Sequence, residues 1–154
     1  MSNKVIVVNA NYIDNLQGLA ESGVNFVYQP RYSLEICNKR LDFETVLKYF
    51  GEKFGFSAQS FTSQSDYSLL RLAVESNNGL DIVELIKYLT IYPAKILRLE
   101  HVTGSIEIGK DADFNVFKLD EGEDYRALVN KHNPYSTYSK GRKIVKRGEI
   151  RFAL

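Results

Sequence analysis

The sequence is poor in the features that build disulfide frameworks, membrane spans and strongly charged surfaces. It contains one cysteine, Cys37, which excludes an internal disulfide and favours a reducing compartment. Its 20 basic and 19 acidic side chains give a net charge of +1, so no overall field attracts nucleic acid or a membrane. No apolar run approaches the roughly 20 residues of a membrane span, and no secretory signal is apparent. We therefore expect a soluble, cytoplasmic protein with no nucleic-acid partner and no membrane partner.

Histidine is also scarce, and the ligands of a metal site are correspondingly few. His101 lies beside a glycine turn and His132 lies in a loop rich in Asn and Pro, and isolated histidines of this kind are more often structural than ligating. Cys37 has no nearby histidine and is expected to be an inert thiol. A basic cluster near the end of the chain is expected on the solvent face of a strand: Lys140, Arg142, Lys143, Lys146 and Arg147.

Apolar runs and amphipathic helical segments alternate in the first half of the chain. Strands are predicted at 5–10, 24–28 and 53–58, and helices at 12–22, 42–50, 66–75 and 80–89. The continuous apolar run at 5–10 is typical of a strand that is buried on both faces. Connections of this length between strands and helices indicate parallel βαβ units.

The residue pattern of the second half of the chain is typical of strands and turns. Strands are predicted at 112–118 and 143–152, with a polar loop at 120–124 between them. A boundary near 98–103 is expected to separate an α/β part, 1–98, from a small β-rich part, 99–154.

The most distinctive stretch runs from Gly104 to Phe117 and follows the segment Pro-Ala-Lys-Ile-Leu at 93–97. Ile106 and Ile108 alternate with polar residues, which predicts a strand with one buried face and one solvent-exposed face. The same stretch fits the first seven positions of a phosphate-binding loop. Its eighth position is Asp111 instead of a serine or threonine hydroxyl, and that carboxylate would repel phosphate.

This order of motifs resembles the C-terminal signature of the amidohydrolase superfamily of metal-dependent hydrolases, nearest to its chlorohydrolase and nucleobase-deaminase branch. The resemblance implies a partial (β/α) TIM-type barrel of about the last three βα units at 1–98. A small β-rich domain like a composite β-sandwich would follow at 99–154. A complete barrel needs about 250 residues, and this sequence has 154, so the resemblance covers only the C-terminal part of such an enzyme.

The resemblance also places the family's catalytic positions on this sequence. The sixth-strand histidine falls on Asn9 and the eighth-strand aspartate falls on Gln59. A side-chain amide neither titrates nor neutralises a dication, so these positions are vestigial. The family uses zinc or iron, but we expect no metal and no other cofactor for this chain alone. Arg31 and Ser33 fall where the family's pocket rim would lie.

Three hypotheses follow for the function. The first is a truncated amidohydrolase-like protein that is inactive alone. Because three parallel strands leave open edges, it would form a homo-oligomer or bind a complementing chain with the N-terminal barrel half. The second is the C-terminal half of a split hydrolase or deaminase that acts on C–N or C–Cl bonds with a partner chain. The third is a small-molecule binding module that keeps the pocket without the chemistry.

Overall fold

The computed structural model describes residues 5–39, 41–57, 71, 81–131 and 133–150. Their helices and strands, in chain order, are β1 (Ile6–Val8), α1 (Leu16–Glu21), β2 (Asn25–Tyr28), α2 (Pro30–Glu35), α3 (Phe43–Phe50), β3 (Phe54–Phe56), α4 (Ile82–Leu89), α5 (Ile91–Leu97), β4 (Phe114–Val116), β5 (Ser136–Ser139), β6 (Arg142–Lys146) and β7 (Glu149–Ile150). None of the helices in these ranges is long and apolar enough to cross a membrane.

The first three strands form a parallel sheet in the order β1-β2-β3, as the alternation of strands and helices predicts. One face of this sheet carries the main core. Phe26 and Tyr28 of β2 and Phe54 of β3 are buried there against α3. The ring centroids of Tyr28 and Phe43 lie 5.3 Å apart at an interplanar angle of 74°, an edge-to-face contact. The sheet is therefore held on this side by interlocked aromatic rings.

The opposite face of the sheet is open at β1. Ile6 and Val8 are 37% and 51% exposed, so the prediction of a strand buried on both faces is wrong for β1. A run of Val and Ile is typical of strands inside a closed barrel, but β1 lies at the edge of the parallel sheet that the described residues form. The strand also ends earlier than predicted, because Asn9 and Ala10 have φ values of +66° and +22°.

The helices begin and end at residues with clear local signals. α3 starts after Asp42, whose side chain accepts from the backbone N–H of Thr45, and it ends at Gly51 with φ +49°. α2 was not predicted. Its first residue is Pro30, and proline suits the first position of a helix, where the missing N–H needs no partner. The predicted helix at 66–75 lies outside the described residues apart from residue 71.

The last four strands form an antiparallel sheet in the order β4-β5-β6-β7. The single strand predicted at 143–152 is a hairpin instead, since Arg147 and Gly148 have φ values of +55° and +80° and turn the chain between β6 and β7. β5 was not predicted. Phe114 and Tyr138 stack across the sheet with centroids 4.6 Å apart.

The segment 104–110 is a loop and not the alternating strand that its pattern predicts. Ile106 is 84% exposed and Ile108 is fully exposed, so neither side chain contributes to a core. The backbone here makes turns at Gly104 and Gly109, whose φ values are +92° and +93°. Two positive φ values within six residues are incompatible with a continuous strand, which explains the error.

Candidate functional site

The candidate site lies where the carboxyl ends of β1 and β2 meet, which is where active sites of β/α barrels are found. Asn9 directly follows β1, and its backbone N–H donates to the carbonyl of Val27 over 2.9 Å, which continues the parallel ladder by one step. Its left-handed φ of +66° is one that asparagine tolerates better than most residues. The backbone therefore turns at Asn9 and directs the chain away from the sheet.

Both polar atoms of the Asn9 side chain are hydrogen-bonded to Gln29, the residue that follows β2. The Oδ1 atom of Asn9 accepts from the backbone N–H of Gln29 over 2.9 Å, and its Nδ2 donates to Gln29 Oε1 over 2.7 Å. Gln29 is only 6% exposed. Both polar atoms of Asn9 thus have partners within the protein, and we call this contact the amide pair.

A second polar contact lies next to the amide pair. The hydroxyl of Ser33, in α2, donates to Asn11 Oδ1 over 3.0 Å, and both residues are buried. Neither group titrates in the ordinary pH range, so the described centre of the site is neutral and hydrogen-bonded rather than acidic or basic. Such a centre can orient the chain or a neutral ligand, but it offers no group that takes up or releases a proton.

The sequence also predicts Arg31, Ser33 and Gln59 at this site, and the structure describes only some of them. Arg31 lies in α2, and a role for it at a pocket rim stays a prediction. Ser33 is fully buried against Asn11, and its role at such a rim also stays a prediction. Gln59 and His132 lie outside the described residues.

Among the described residues, the site lacks the ligands that a catalytic zinc ion needs. A hydrolytic zinc site needs about three ligands drawn from His, Cys and carboxylate side chains. The described residues contain no group of three or more His, Cys, Asp and Glu side chains that could hold a metal ion. The oxygen of Asn9, where the resemblance predicts the family's histidine position, already accepts a backbone hydrogen bond. His101 is exposed in the turn after α5, well along the chain from this site.

Lys110, the lysine of the phosphate-loop pattern, also makes hydrogen bonds within the protein. The Lys110 ammonium donates to Ser105 Oγ and to Glu107 Oε1, the latter over 3.0 Å, and the side chain is only 12% exposed. Hydrogen bonds from the Ser105 hydroxyl and then the Lys110 ammonium hold the pKa of Glu107 below its ordinary value. The Lys110 ammonium is thus already hydrogen-bonded within its own loop.

Gln29 and Asn11 were not predicted as site residues. The signal that could have found them is their position, since each is a polar residue placed just after an apolar parallel strand. Polar side chains at the carboxyl ends of neighbouring parallel strands converge on the same edge of the sheet.

Comparison with known proteins connects this fold to one family. The sequence-family model of the amidohydrolase family matches residues 8–144 of this chain. A probable allantoinase 2 from Dictyostelium discoideum is 34% identical over 87 residues, which cover 47% of this chain and 17% of the relative.

Solved structures agree on the fold. An adenosine deaminase from Xanthomonas campestris with bound zinc superposes with a TM-score of 0.80 at 19% identity, over 95% of this chain and 38% of that one. A mutant of the atrazine chlorohydrolase from Arthrobacter aurescens, complexed with zinc and atraton, gives a TM-score of 0.81 at 19% identity, over 99% of this chain and 38% of that chain.

The chain therefore spans well under half of the length of these relatives. The solved relatives are TIM-barrel amidohydrolases, and the three parallel strands described here are consistent with a part of that barrel. Because the family model covers most of the sequence, the chain belongs to the amidohydrolase family.

Proposed function

We propose that this chain is a non-catalytic amidohydrolase-family protein, which keeps part of the scaffold but does not hydrolyse C–N or C–Cl bonds by itself. The observation that carries the proposal is the amide pair of Asn9 and Gln29. It occupies the position where the family resemblance expects a histidine that contacts the metal-bound water or the substrate.

The physical argument rests on what an engaged amide can do. Asn9 Oδ1 already accepts from the backbone N–H of Gln29, and Nδ2 donates to Gln29 Oε1, so the amide is held in place by the protein itself. An amide is also unable to shuttle a proton, because it does not titrate near neutral pH. These two properties support a positioning role for Asn9 rather than general acid–base work.

The test uses the purified chain, which is first incubated with zinc and then dialysed to remove the unbound zinc. We expect zinc well below one equivalent by elemental analysis, and no release of ammonia from adenosine or guanine or of chloride from atrazine. The Xanthomonas campestris adenosine deaminase, assayed in parallel, is the positive control for zinc retention and ammonia release. Stoichiometric zinc together with turnover that a chelator abolishes would overturn the proposal.

The open edge of the parallel sheet supports a second candidate, the C-terminal half of a split hydrolase or deaminase. In the described part of the chain no strand lies beyond β1, and Ile6 and Val8 are exposed on one face of it. A partner chain that carries the N-terminal barrel half could add strands at this edge, and with them the metal ligands.

Co-expression with the product of an adjacent reading frame that encodes a His-x-His strand distinguishes the two candidates. A one-to-one complex with zinc and turnover supports the split enzyme, whereas a complex without turnover supports the non-catalytic protein. Val8→Lys should prevent a complex formed at β1. Ile13→Lys, at another exposed apolar residue outside the strand, is the matched control.

A further inference from the structure

A small cleft lies at one end of the antiparallel sheet, between the loop that leads into β5 and the turn that joins β6 to β7. It has a volume of about 200 Å³. Pockets for drug-sized molecules have roughly 300–1,000 Å³, so this cleft suits a smaller group. Three cationic side chains line it, those of Lys118, Lys131 and Arg147, and none of its described lining residues carries a carboxylate. We call it the basic cleft.

The pairing of the sheet builds the basic cleft. The strands β4, β5 and β6 pair antiparallel in that order, so the end of β4, the start of β5 and the end of β6 lie side by side. The backbone N–H of Gly148, in the turn after β6, donates to the carbonyl of Tyr135, in the loop before β5, over 3.3 Å. This hydrogen bond ties two walls of the cleft together, so its cations are held on a fixed frame.

The three cations of the basic cleft differ in how far their charge is neutralised. The Lys131 ammonium lies 2.9 Å from Asp120 Oδ2 and 2.7 Å from Glu123 Oε2. An ammonium has three N–H groups, so one remains for a further acceptor. Lys118 and Arg147 make no ion pair and no side-chain hydrogen bond within the described part of the chain. The cleft therefore presents two positive charges that no carboxylate binds.

The backbone at Arg147 has a conformation that arginine rarely adopts. Arg147 and Gly148 have φ values of +55° and +80°, and they join the paired residues Lys146 and Glu149. Two positive φ values in a two-residue hairpin loop define a type I′ turn, whose first position favours asparagine, aspartate or glycine. Strained residues of this kind cluster at ligand sites, where the side chain is required in spite of the backbone strain.

The turn between β5 and β6 provides a comparison. Lys140 and Gly141 there also have positive φ values, +48° and +75°. The backbone N–H of Lys140 donates to Asp113 Oδ1 over 2.7 Å, and its ammonium lies 3.9 Å from Asp111 Oδ2. The protein itself thus gives Lys140 its partners. Arg147 has no such contact among the described residues, and its side chain faces the basic cleft instead.

We infer that the basic cleft binds a phosphate group, with Arg147, Lys118 and the remaining N–H of Lys131 as donors. A phosphate group carries close to two negative charges at neutral pH, which match the two cations that lack a carboxylate. The planar fork of an arginine donates two parallel hydrogen bonds to phosphate oxygens. The site belongs to the C-terminal sheet alone, so it goes beyond the proposed loss of hydrolysis and needs no hydrolytic chemistry.

The first test is a titration of the purified chain with inorganic phosphate at neutral pH, followed by NMR of the backbone amides. We expect saturable binding with a dissociation constant of about 1 mM or tighter. The largest shifts should be those of Tyr135 and Gly148, which line the cleft. Sodium chloride at equal ionic strength is the control for screening. Shifts that sodium chloride reproduces, or shifts that do not saturate, would overturn the inference.

A titration with phenyl phosphate identifies the source of the phosphate group. Phe117 and Tyr135 line the cleft beside its cations, so a ring attached to the phosphate can pack against them. Tighter binding of phenyl phosphate than of inorganic phosphate supports a phosphate monoester as the ligand. Equal or weaker binding supports free phosphate.

The decisive variant is Arg147→Asn, which removes the charge and gives the turn the favoured Asn-Gly pair. The dissociation constant for phosphate should rise about tenfold or more, because a charged hydrogen-bond donor is lost. The midpoint of thermal unfolding should rise by about 2–4 °C, since the backbone strain is relieved. Lys118→Gln should also weaken binding, with little effect on thermal unfolding.

Lys140→Asn is the matched control. It makes the same change of charge and of turn sequence in the hairpin between β5 and β6, outside the basic cleft. We expect the affinity for phosphate to stay unchanged in this variant. Binding that survives Arg147→Asn, or that Lys140→Asn weakens to the same extent, would show that phosphate is not held in the cleft.

Discussion

Gly104 lies so close to Ala94 that a Cβ atom at Gly104 would approach the Ala94 Cβ to 2.7 Å. The same Cβ would lie 3.1 Å from the Cα of Ile91 and 3.2 Å from the carbonyl oxygen of Thr90. The first glycine of the family signature is therefore a packing residue, which allows the loop after α5 to lie directly on that helix. This close approach to α5 gives Gly104 a structural role.

Replacing Gly104 by alanine should destabilise the protein by about 2–4 kcal/mol, because a close contact adds to the strain of a positive φ. Gly109→Ala is the matched control. Gly109 has a nearly equal φ of +93°, but a Cβ there would meet nothing within 4 Å. We expect only about 1 kcal/mol from it. Urea unfolding of the two variants measures the difference, and equal losses would show that packing on α5 is unimportant.

The hydroxyl of Tyr28 is buried and has no hydrogen-bond partner in the described part of the chain. Tyr28→Phe should therefore stabilise the protein by about 1 kcal/mol, since it removes an unsatisfied polar atom and keeps the ring contacts with Phe43 and Phe56. Tyr12→Phe is the control, because its exposed hydroxyl donates to the carbonyl of Cys37 and its removal should change little. A loss of stability in Tyr28→Phe would indicate that the hydroxyl has a partner after all.

The amide pair should be important for stability. Asn9→Ala removes both hydrogen bonds with Gln29, leaves that buried residue without these partners, and places alanine at a positive φ. We expect a loss of about 2–3 kcal/mol in the free energy of unfolding. Asn9→Gly separates the two causes, since glycine tolerates the φ but makes neither bond. If Asn9→Gly were as stable as the natural chain, the amide pair would have no structural importance.

Lys131 should lower the pKa values of two carboxyl groups in the polar loop, those of Asp120 and Glu123. Its ammonium lies 2.9 Å from Asp120 Oδ2 and 2.7 Å from Glu123 Oε2. Hydrogen bonding to Lys131 lowers the pKa of Asp120, whereas the backbone N–H of Asp120 contributes most to the lowered pKa of Glu123. In Lys131→Met the pKa of Asp120 should thus rise more than that of Glu123.

The direction of the stability effect follows from these lowered values. A carboxyl whose pKa is lower in the folded state stabilises the fold above its ordinary pKa, and this contribution is lost as the pH falls through the lowered value. Carboxyl NMR titration measures both groups, and 1 M salt should reduce the shifts because the charges are exposed. An unchanged pKa of Asp120 in Lys131→Met would contradict the assigned cause.

Local sequence signals were sufficient for several elements of the fold. Phe43, Val46 and Phe50 recur on one helical face between Asp42 and Gly51, and the structure places α3 there. The order of apolar runs and helices indicated a parallel sheet, and the motifs at 93–117 indicated the amidohydrolase family, as the family match confirms. Each of these signals depends on residues close together in the chain, which is why the sequence alone is enough to read them.

Contacts between distant residues were decided only by the tertiary structure. Asn9 and Gln29 are twenty positions apart, and their amides meet because two parallel strands end in register. Ile106 and Ile108 have the spacing of a strand, yet the turns at Gly104 and Gly109 expose both side chains. Periodicity reports which residues share a face. Whether that face becomes covered depends on what the rest of the chain, or another chain, brings against it.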